Sequence, residues 1–188
     1  MYARKVTVSA ADVAAELRRR LPGLGIKKQH KLLYYCQGHH IAAFDEPLFA
    51  ETISAWDMGP VVGHLWYEER DGTASPSGAS LGEAELNTIG YVISRYGGLT
   101  GADLERLTHA EPPWQEADTA REPKDSAKIS LESLRAYFAS PTAGDDDDAV
   151  ESPDSQAVAE WLGAVTGPPQ EPGTRDTVES LRARLTSA

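Results

Sequence analysis

The stretch that decides the fold is Lys31-Leu32-Leu33-Tyr34-Tyr35-Cys36-Gln37-Gly38-His39-His40. Apolar residues recur in it and around it at the three- and four-residue spacing of a helix. Because these positions cover a wide arc of the helix surface, we expect a buried helix from about Ile26 to Phe44. The breaker sequence Asp45-Glu46-Pro47 ends it, since proline cannot continue a helix without the loss of a backbone hydrogen bond.

Amphipathic stretches elsewhere in the chain predict further helices. Ser9 with Asp12, and Thr100 with Asp103, have the spacing of capping boxes, in which each side chain bonds to the other residue's backbone N–H. The expected helices cover about 9–21, 60–70, 81–96 and 114–121, and two more begin after Thr100 and Ser130. The pattern therefore predicts a mainly α fold, a compact multi-helix domain over residues 1–140.

One segment of this domain has the periodicity of a strand. From Leu48 to Trp56 the side chains alternate, and β-branched residues lie at the centre, so we predict a small β element around residues 48–57. Met58-Gly59-Pro60 then predicts a turn. Proline is favoured in the first turn of a helix, so Pro60 is expected to begin the next one.

The composition changes after Pro141. Residues 141–188 are predicted to form an acidic, proline-rich, partly disordered tail, because a run of four aspartates at 145–148 must stay hydrated. Two short amphipathic helices are expected in the tail, at about 152–165 and 176–185. Neither is long enough to be stable alone in water, so each needs a surface on which to dock.

Charge and composition exclude several classes of protein. The net charge is −11 and the pI is about 4.9, which disfavours an autonomous nucleic-acid binder. The charge is unevenly divided, at +6 over residues 1–40, −10 over 41–140 and −7 over 141–188. We expect no membrane span and no secretory signal. The single cysteine, Cys36, fits a reducing cytoplasm.

The sequence offers one candidate metal site. Cys36 and His40 lie four residues apart and therefore share a helix face, and His109 is a candidate third ligand. However, no second close ligand pair accompanies them, and a lone thiol among apolar residues is more often a packed side chain. The common catalytic motifs are absent. We therefore expect no enzyme and no cofactor, and keep a metal-dependent hydrolase as the least favoured alternative.

Two groups of residues are candidates for binding a partner. Lys27, Lys28 and Lys31 lie at the start of the central helix, where cations oppose the helix dipole. This basic group is either a solvated face or a surface for a charged partner. The large aromatic residues, including Trp56 and Trp114, are either core side chains or partner contacts. Substitution separates these two interpretations: loss of stability indicates a core side chain, and loss of binding with full stability indicates a partner contact.

Three ordered motifs resemble those of a known family. They are Lys31 to His40 as quoted above, Ala55-Trp56-Asp57-Met58-Gly59-Pro60-Val61-Val62, and Leu107-Thr108-His109-Ala110-Glu111-Pro112-Pro113-Trp114-Gln115-Glu116-Ala117. Together they resemble the Panacea domain, a SocA-like, phage-associated antitoxin domain, over about residues 8–140. Met58 departs from the family pattern, and the tail is not part of it.

The resemblance implies a cytoplasmic antitoxin of a toxin-antitoxin system that neutralises a cognate toxin protein, encoded beside it, by direct binding. It also implies an alternative, a proteolytic adaptor that delivers a toxin to an AAA+ protease. The sequence leaves the oligomeric state open. The candidate partner-binding residues are Lys27, Lys28, Lys31, Tyr34, Trp56, Asp57, His109, Trp114 and Trp161. The candidate structural residues of the motifs are Gly38, Gly59, Pro60 and Pro113.

Overall fold

The computed structural model describes residues 8–140 and 178–186, which form eight α-helices and a three-stranded sheet. The helices are α1 (Ala10–Arg20), α2 (Ile26–Phe44), α3 (Gly63–Asp71), α4 (Glu83–Tyr96), α5 (Gly101–His109), α6 (Pro112–Thr119), α7 (Leu131–Phe138) and α8 (Val178–Thr186). The strands are β1 (Ile53–Trp56), β2 (Gly59–Val62) and β3 (Ala127–Lys128), in the order β2-β1-β3. The mainly α fold with a small β element is confirmed. None of the helices in these ranges has both the length and the apolarity to cross a bilayer.

Helix α2 lies at the centre of the molecule, as its wide apolar arc predicts. Its residues 29–38 are all buried, and it packs against α1, α4, α5, α7 and β2. Several of its buried side chains are polar, and such groups are costly to bury unless they are hydrogen-bonded. Their partners, described below, are mostly backbone groups of the segment that follows α2.

Both predicted capping boxes are present. The Ser9 hydroxyl accepts a hydrogen bond from the Asp12 N–H at 3.1 Å, and the Asp12 carboxylate accepts one from the Ser9 N–H at 2.9 Å. Thr100 and Asp103 exchange the same pair of bonds at 3.1 and 2.9 Å. These bonds satisfy backbone donors that have no partner inside the helix, and they fix the first residues of α1 and α5.

The predicted β element is shorter in the structure than in the sequence pattern. Strand β1 begins at Ile53, because the backbone of Leu48 and Phe49 is bound by a side chain instead of a strand. The Gln37 amide oxygen accepts from the Leu48 and Phe49 N–H groups at 2.9 and 3.2 Å, and its nitrogen donates to the Phe49 carbonyl at 2.9 Å. Alternation in the sequence does not reveal this competing partner.

The expected helix start at Pro60 is wrong. Pro60 lies in β2, which pairs with β1 around a two-residue turn, and α3 begins only at Gly63. Proline is tolerated there because β2 is an edge strand, where a missing N–H breaks no ladder bond. Gly59 has a φ of +99°, a left-handed value that favours glycine over other residues.

The second amphipathic stretch of the tail forms a helix, as expected, at Val178–Thr186. It packs against α5, and its Leu181 is completely buried in the core. The acidic run and the first amphipathic stretch lie outside the described residues. The division of the chain at residue 140 stays a prediction.

Gly38 of α2 lies directly against the ring of Phe138 in α7. A Cβ atom at Gly38 would overlap the Phe138 ring, so only glycine fits this contact. The ring also packs edge-on against Tyr34 and Tyr35, at centroid distances of 5.6 and 6.1 Å. It therefore has little freedom to move away.

We predict that Gly38→Ala lowers the free energy of unfolding by about 1–3 kcal/mol, the usual cost of overpacking a core. Gly98→Ala is the matched control, because a Cβ there meets no atom within 4 Å. Urea unfolding of both variants measures the difference. Equal stability of the two variants would contradict this account of the α2–α7 contact.

Candidate functional site

An open groove of about 510 Å³ lies where the start of α2, the β1–β2 turn and α3 meet residues 124–126. Its apolar lining consists of Ile26, Trp56, Met58, Val61, Trp66 and Tyr67. We call this surface the aromatic groove. Its volume is in the range of ordinary binding clefts.

The aromatic groove leaves large apolar side chains in contact with solvent. Ile26 is 43% exposed, Met58 53% and Tyr67 49%. Trp56 and Trp66 beside them are half-buried. Single exposed apolar residues are ordinary, whereas a contiguous apolar group that lines a groove is a candidate interaction surface.

The three large rings of the groove hold one another in place. Trp56 and Trp66 have centroids 5.4 Å apart, Trp66 and Tyr67 5.2 Å, and Trp56 and Tyr67 6.0 Å, all at steep angles. The Arg70 guanidinium lies 5.5 Å from the Trp66 centroid and 5.0 Å from that of Tyr67. Edge-to-face rings and a cation over a ring face are both favourable, so the rings are ordered before any partner arrives.

Two charged side chains at the rim, Lys27 and Asp57, have partners of opposite sign. Lys27 forms an ion pair with Glu105, and Asp57 binds Arg121 at 2.7 Å. Lys124 completes the rim, at a backbone φ of +67°. This near balance of charge leaves the apolar floor as the main feature of the surface.

Helix α3, which carries two of the rings, is tied to α2 by a partly buried polar network. The Glu69 carboxylate accepts hydrogen bonds at 2.6 Å from both Arg18 and Gln29, and lies 3.3 Å from the His30 Nε2. Burial alone would raise the pKa of Glu69, but the bonds from His30, Gln29 and Arg18 hold it at about 2. His30 also accepts from the Val62 N–H at 3.2 Å, which joins the same network to β2.

Lys31, a predicted partner contact, lies inside the protein below the groove. It is 1% exposed, and its ammonium donates to the Pro60 carbonyl at 3.2 Å. Burial lowers the pKa of Lys31 to about 8, although the charge of Glu105 opposes the shift. A Cβ at Gly59 would lie 2.7 Å from the Lys31 Cε, so the glycine makes room for the lysine. The side chain therefore contacts the hairpin and not solvent.

Tyr34, the next predicted contact, is also internal. Its hydroxyl donates to Glu111 at 2.8 Å, and the hydroxyl of Tyr35 donates to the other carboxylate oxygen at 2.9 Å. Burial raises the pKa of Glu111 to about 7, against the bonds from Tyr34 and Tyr35 and the charge of Arg182. The first and third sequence motifs therefore meet in the core at this carboxyl group.

His109 and Trp114 of the third motif support the groove from beneath. Their rings stack at 3.9 Å, and the Trp114 indole donates to the Trp56 carbonyl at 3.3 Å. Trp114 is buried and His109 half-buried, and burial lowers the pKa of His109. The two residues fix the backbone at the end of β1, from which the Trp56 side chain projects.

Two further candidates, Lys28 and Pro113, do not line the groove. Lys28 donates to the Gly97 carbonyl at 2.6 Å and ties α2 to the end of α4. Pro113 is buried in the first turn of α6. Trp161 lies outside the described residues. Of the predicted partner contacts, the groove thus brings together Lys27, Trp56 and Asp57.

The candidate metal ligands have other partners. Cys36 is fully buried, and burial raises the pKa of its thiol well above the usual range. His40 Nδ1 lies 2.8 Å from the Thr88 hydroxyl. Within residues 8–140 and 178–186, no three His, Cys, Asp or Glu side chains are grouped so as to hold a metal ion. The geometry therefore gives the hydrolase alternative no support.

Sequence reasoning missed Ile26, Met58, Trp66 and Tyr67 as parts of a surface. Ile26 and Trp66 fit the apolar faces of their helices, so their periodicity indicates burial. Tyr67 follows Trp66 directly, and a large aromatic ring is ordinarily taken as a core side chain. Met58, where the sequence departs from the motif, was the available signal.

Comparison with known proteins supports the resemblance. The family model described as antitoxin SocA-like, Panacea domain, matches residues 30–115. The match includes the first two motifs and most of the third, together with the two strands and the helix that form most of the groove. No curated protein and no solved structure gave a significant match.

The buried Glu111 generates a prediction about pH. A carboxyl group whose pKa rises on folding stabilises the protein below its unfolded value, and this contribution is lost as the pH rises through the folded value of about 7. Glu111→Gln keeps a neutral hydrogen-bonding group at every pH. The stability of the wild type should therefore fall relative to this variant between pH 4.5 and 8, by on the order of 3 kcal/mol. Urea unfolding across this range measures the difference, and a constant difference would contradict the raised pKa.

Proposed function

We propose that this protein is an antitoxin that neutralises a cognate toxin protein by direct binding, and that the aromatic groove is its principal contact surface. The observation that carries the proposal is the clustering of exposed Ile26, Met58 and Tyr67 around Trp56 and Trp66. The match to a SocA-like antitoxin domain supports the class of function.

The residue types of the groove suit a protein partner. Tryptophan and tyrosine are enriched among the residues that dominate binding energy, and methionine adapts to irregular partner surfaces. The paired charges at the rim match the polar border that surrounds the centre of an interface. This surface favours an apolar protein segment over nucleic acid, whose phosphates require an excess of unpaired cations.

The groove is also held rigid from below. Lys31 and His30 of α2 bind the backbone of β2, and Trp114 of α6 binds that of β1. A surface that is ordered before binding loses little conformational entropy when the partner arrives. The motif residues therefore contribute to binding indirectly, through the positions of the Trp56, Trp66 and Tyr67 rings.

A role as an adaptor for an AAA+ protease is the second candidate. A binding measurement does not distinguish the adaptor role from sequestration, but a measurement of the toxin's half-life does. Sequestration predicts that deletion of this protein leaves the half-life of its partner unchanged, whereas delivery to a protease predicts a longer one. Either role places the protein in the cytoplasm with its partner.

We predict that Tyr67→Ala weakens binding to the product of the neighbouring gene by roughly tenfold or more, the usual effect of truncating a central interface aromatic. Its stability should change little, because the side chain is exposed. Trp114→Ala should instead cost about 3–5 kcal/mol of unfolding free energy, because that ring is buried. Calorimetric titration and thermal melting measure the two quantities.

Tyr91→Ala is the matched control for Tyr67→Ala. Tyr91 is also an exposed helical tyrosine, at 43%, but it lines a different cleft beside α2 and α7. Its substitution should leave affinity for the toxin unchanged. Equal affinity of the Tyr67→Ala and Tyr91→Ala variants for the toxin would contradict the proposal that the aromatic groove is the contact surface.

A further inference from the structure

We propose that the face of α5 covered by α8 is a helix-binding groove, and that it accepts a basic amphipathic helix of the partner protein in place of α8. We call this surface the α8 seat, defined by α5 with Asp103, Glu111 and Tyr137 at its edges. It is separate from the aromatic groove, whose lining residues contain none of these three. Helix α8 shows what chemistry the seat accepts.

The contact of α8 with the seat follows the pattern of a helix in a groove. Leu181 is completely buried, while Val178 and Leu185 are partly buried against the same core. These residues lie three and four positions apart and therefore form one stripe on the helix. The same spacing of apolar anchors is used when a separate amphipathic helix binds a protein surface.

The polar edges of the contact are complementary in charge. Burial raises the pKa of Tyr137 and of Glu111, and the nearby Arg182 opposes both shifts. Burial also acts to raise the pKa of Asp103, but the bonds from Thr100 and the charges of Arg106 and Arg184 lower it. Acidic groups thus lie on the seat, and arginines lie on the helix that occupies it. A partner helix with this combination of apolar anchors and arginines would meet the same complementary surface.

The size of α8 makes it exchangeable. The helix has nine residues, and helices shorter than about 12–15 residues are marginal in water by themselves. One side chain, Leu181, is fully buried, while Arg182, Ala183 and Arg184 are exposed. The helix belongs to the same chain as the seat, so its docking is intramolecular and needs less contact energy than the docking of a separate helix.

The position of the family match separates the seat from its occupant. Helix α5 and Glu111 lie within residues 30–115, and α8 lies outside them. The matched part of the chain thus supplies α5, Asp103 and Glu111 of the seat, whereas Tyr137 and the competing helix lie outside the match. The inference rests on the proposed function only for the identity of the partner, since the seat can be tested without the toxin.

The test uses a fluorescein-labelled peptide of residues 174–188 and the full-length protein. Leu181→Asp in the protein removes the anchor of the tethered helix and should open the seat. We expect the peptide to bind this variant roughly tenfold more tightly than the wild type, in which the tethered helix competes. Fluorescence anisotropy measures both affinities. Absence of binding to the folded variant, or equal affinity for both proteins, would overturn the proposal.

Two controls give this test its specificity. Leu131→Asp changes an exposed leucine of α7 and should leave the affinity for the peptide at the wild-type value. A peptide that carries Arg182→Glu and Arg184→Glu should lose its binding, because its charge no longer complements the seat. If Leu181→Asp fails to fold, the same pair of substitutions in the full-length protein opens the seat without placing a charge in the core.

The neighbouring gene product then tests the exchange itself. If its helix takes the seat, the Leu181→Asp protein should bind it several-fold more tightly than the wild type. Unchanged or weaker binding would show that α8 does not compete with this partner and would overturn the exchange. If neither the wild type nor the Leu181→Asp variant binds the neighbouring gene product, but the variant still binds the peptide more tightly, the proposed function is contradicted. The α8 seat is then still supported as a helix-binding groove.

Discussion

Three polar side chains of the buried helix α2 hold the backbone of the segment that follows it. Gln37 binds Leu48 and Phe49, Lys31 binds the Pro60 carbonyl, and His30 binds the Val62 N–H. Without these bonds, each polar group would remain unsatisfied in the core at a cost of about 1–3 kcal/mol. The bonds set the path of the β1–β2 hairpin, and the hairpin sets where the aromatic groove forms.

The motif residues and the groove residues therefore have different roles, the first in the interior and the second at the surface. The motif residues Lys31, Tyr34 and Trp114 face inward, where they bind backbone groups or the buried Glu111. The side chains available to a partner belong largely to Met58, Tyr67 and their neighbours. In the proposed antitoxin role, a scaffold of this kind allows the groove residues to change with the partner while the interior stays the same.

Sequence reasoning predicted the helices well, because amphipathic spacing and the two capping boxes depend on neighbouring residues. It failed where a residue distant in the sequence determines the local structure or the burial of a side chain. Pro60 lies in an edge strand because β1 and the buried Lys31 hold it there, and neither effect appears in local spacing. Lysine is ordinarily a surface residue, so the sequence does not indicate that Lys31 is buried. Its burial depends on space that Gly59, far along the chain, leaves free. The same dependence on distant contacts left the exposed face of α3 unpredicted.

The most direct test of the central claim is site-specific photo-crosslinking in the complex with the neighbouring gene product. Benzoylphenylalanine placed at Tyr67 would lie in the aromatic groove, and placed at Tyr91 it would lie in the cleft beside α4. The account predicts a covalent adduct with the toxin from position 67 and none from position 91. An adduct from position 91 with none from position 67 would contradict it.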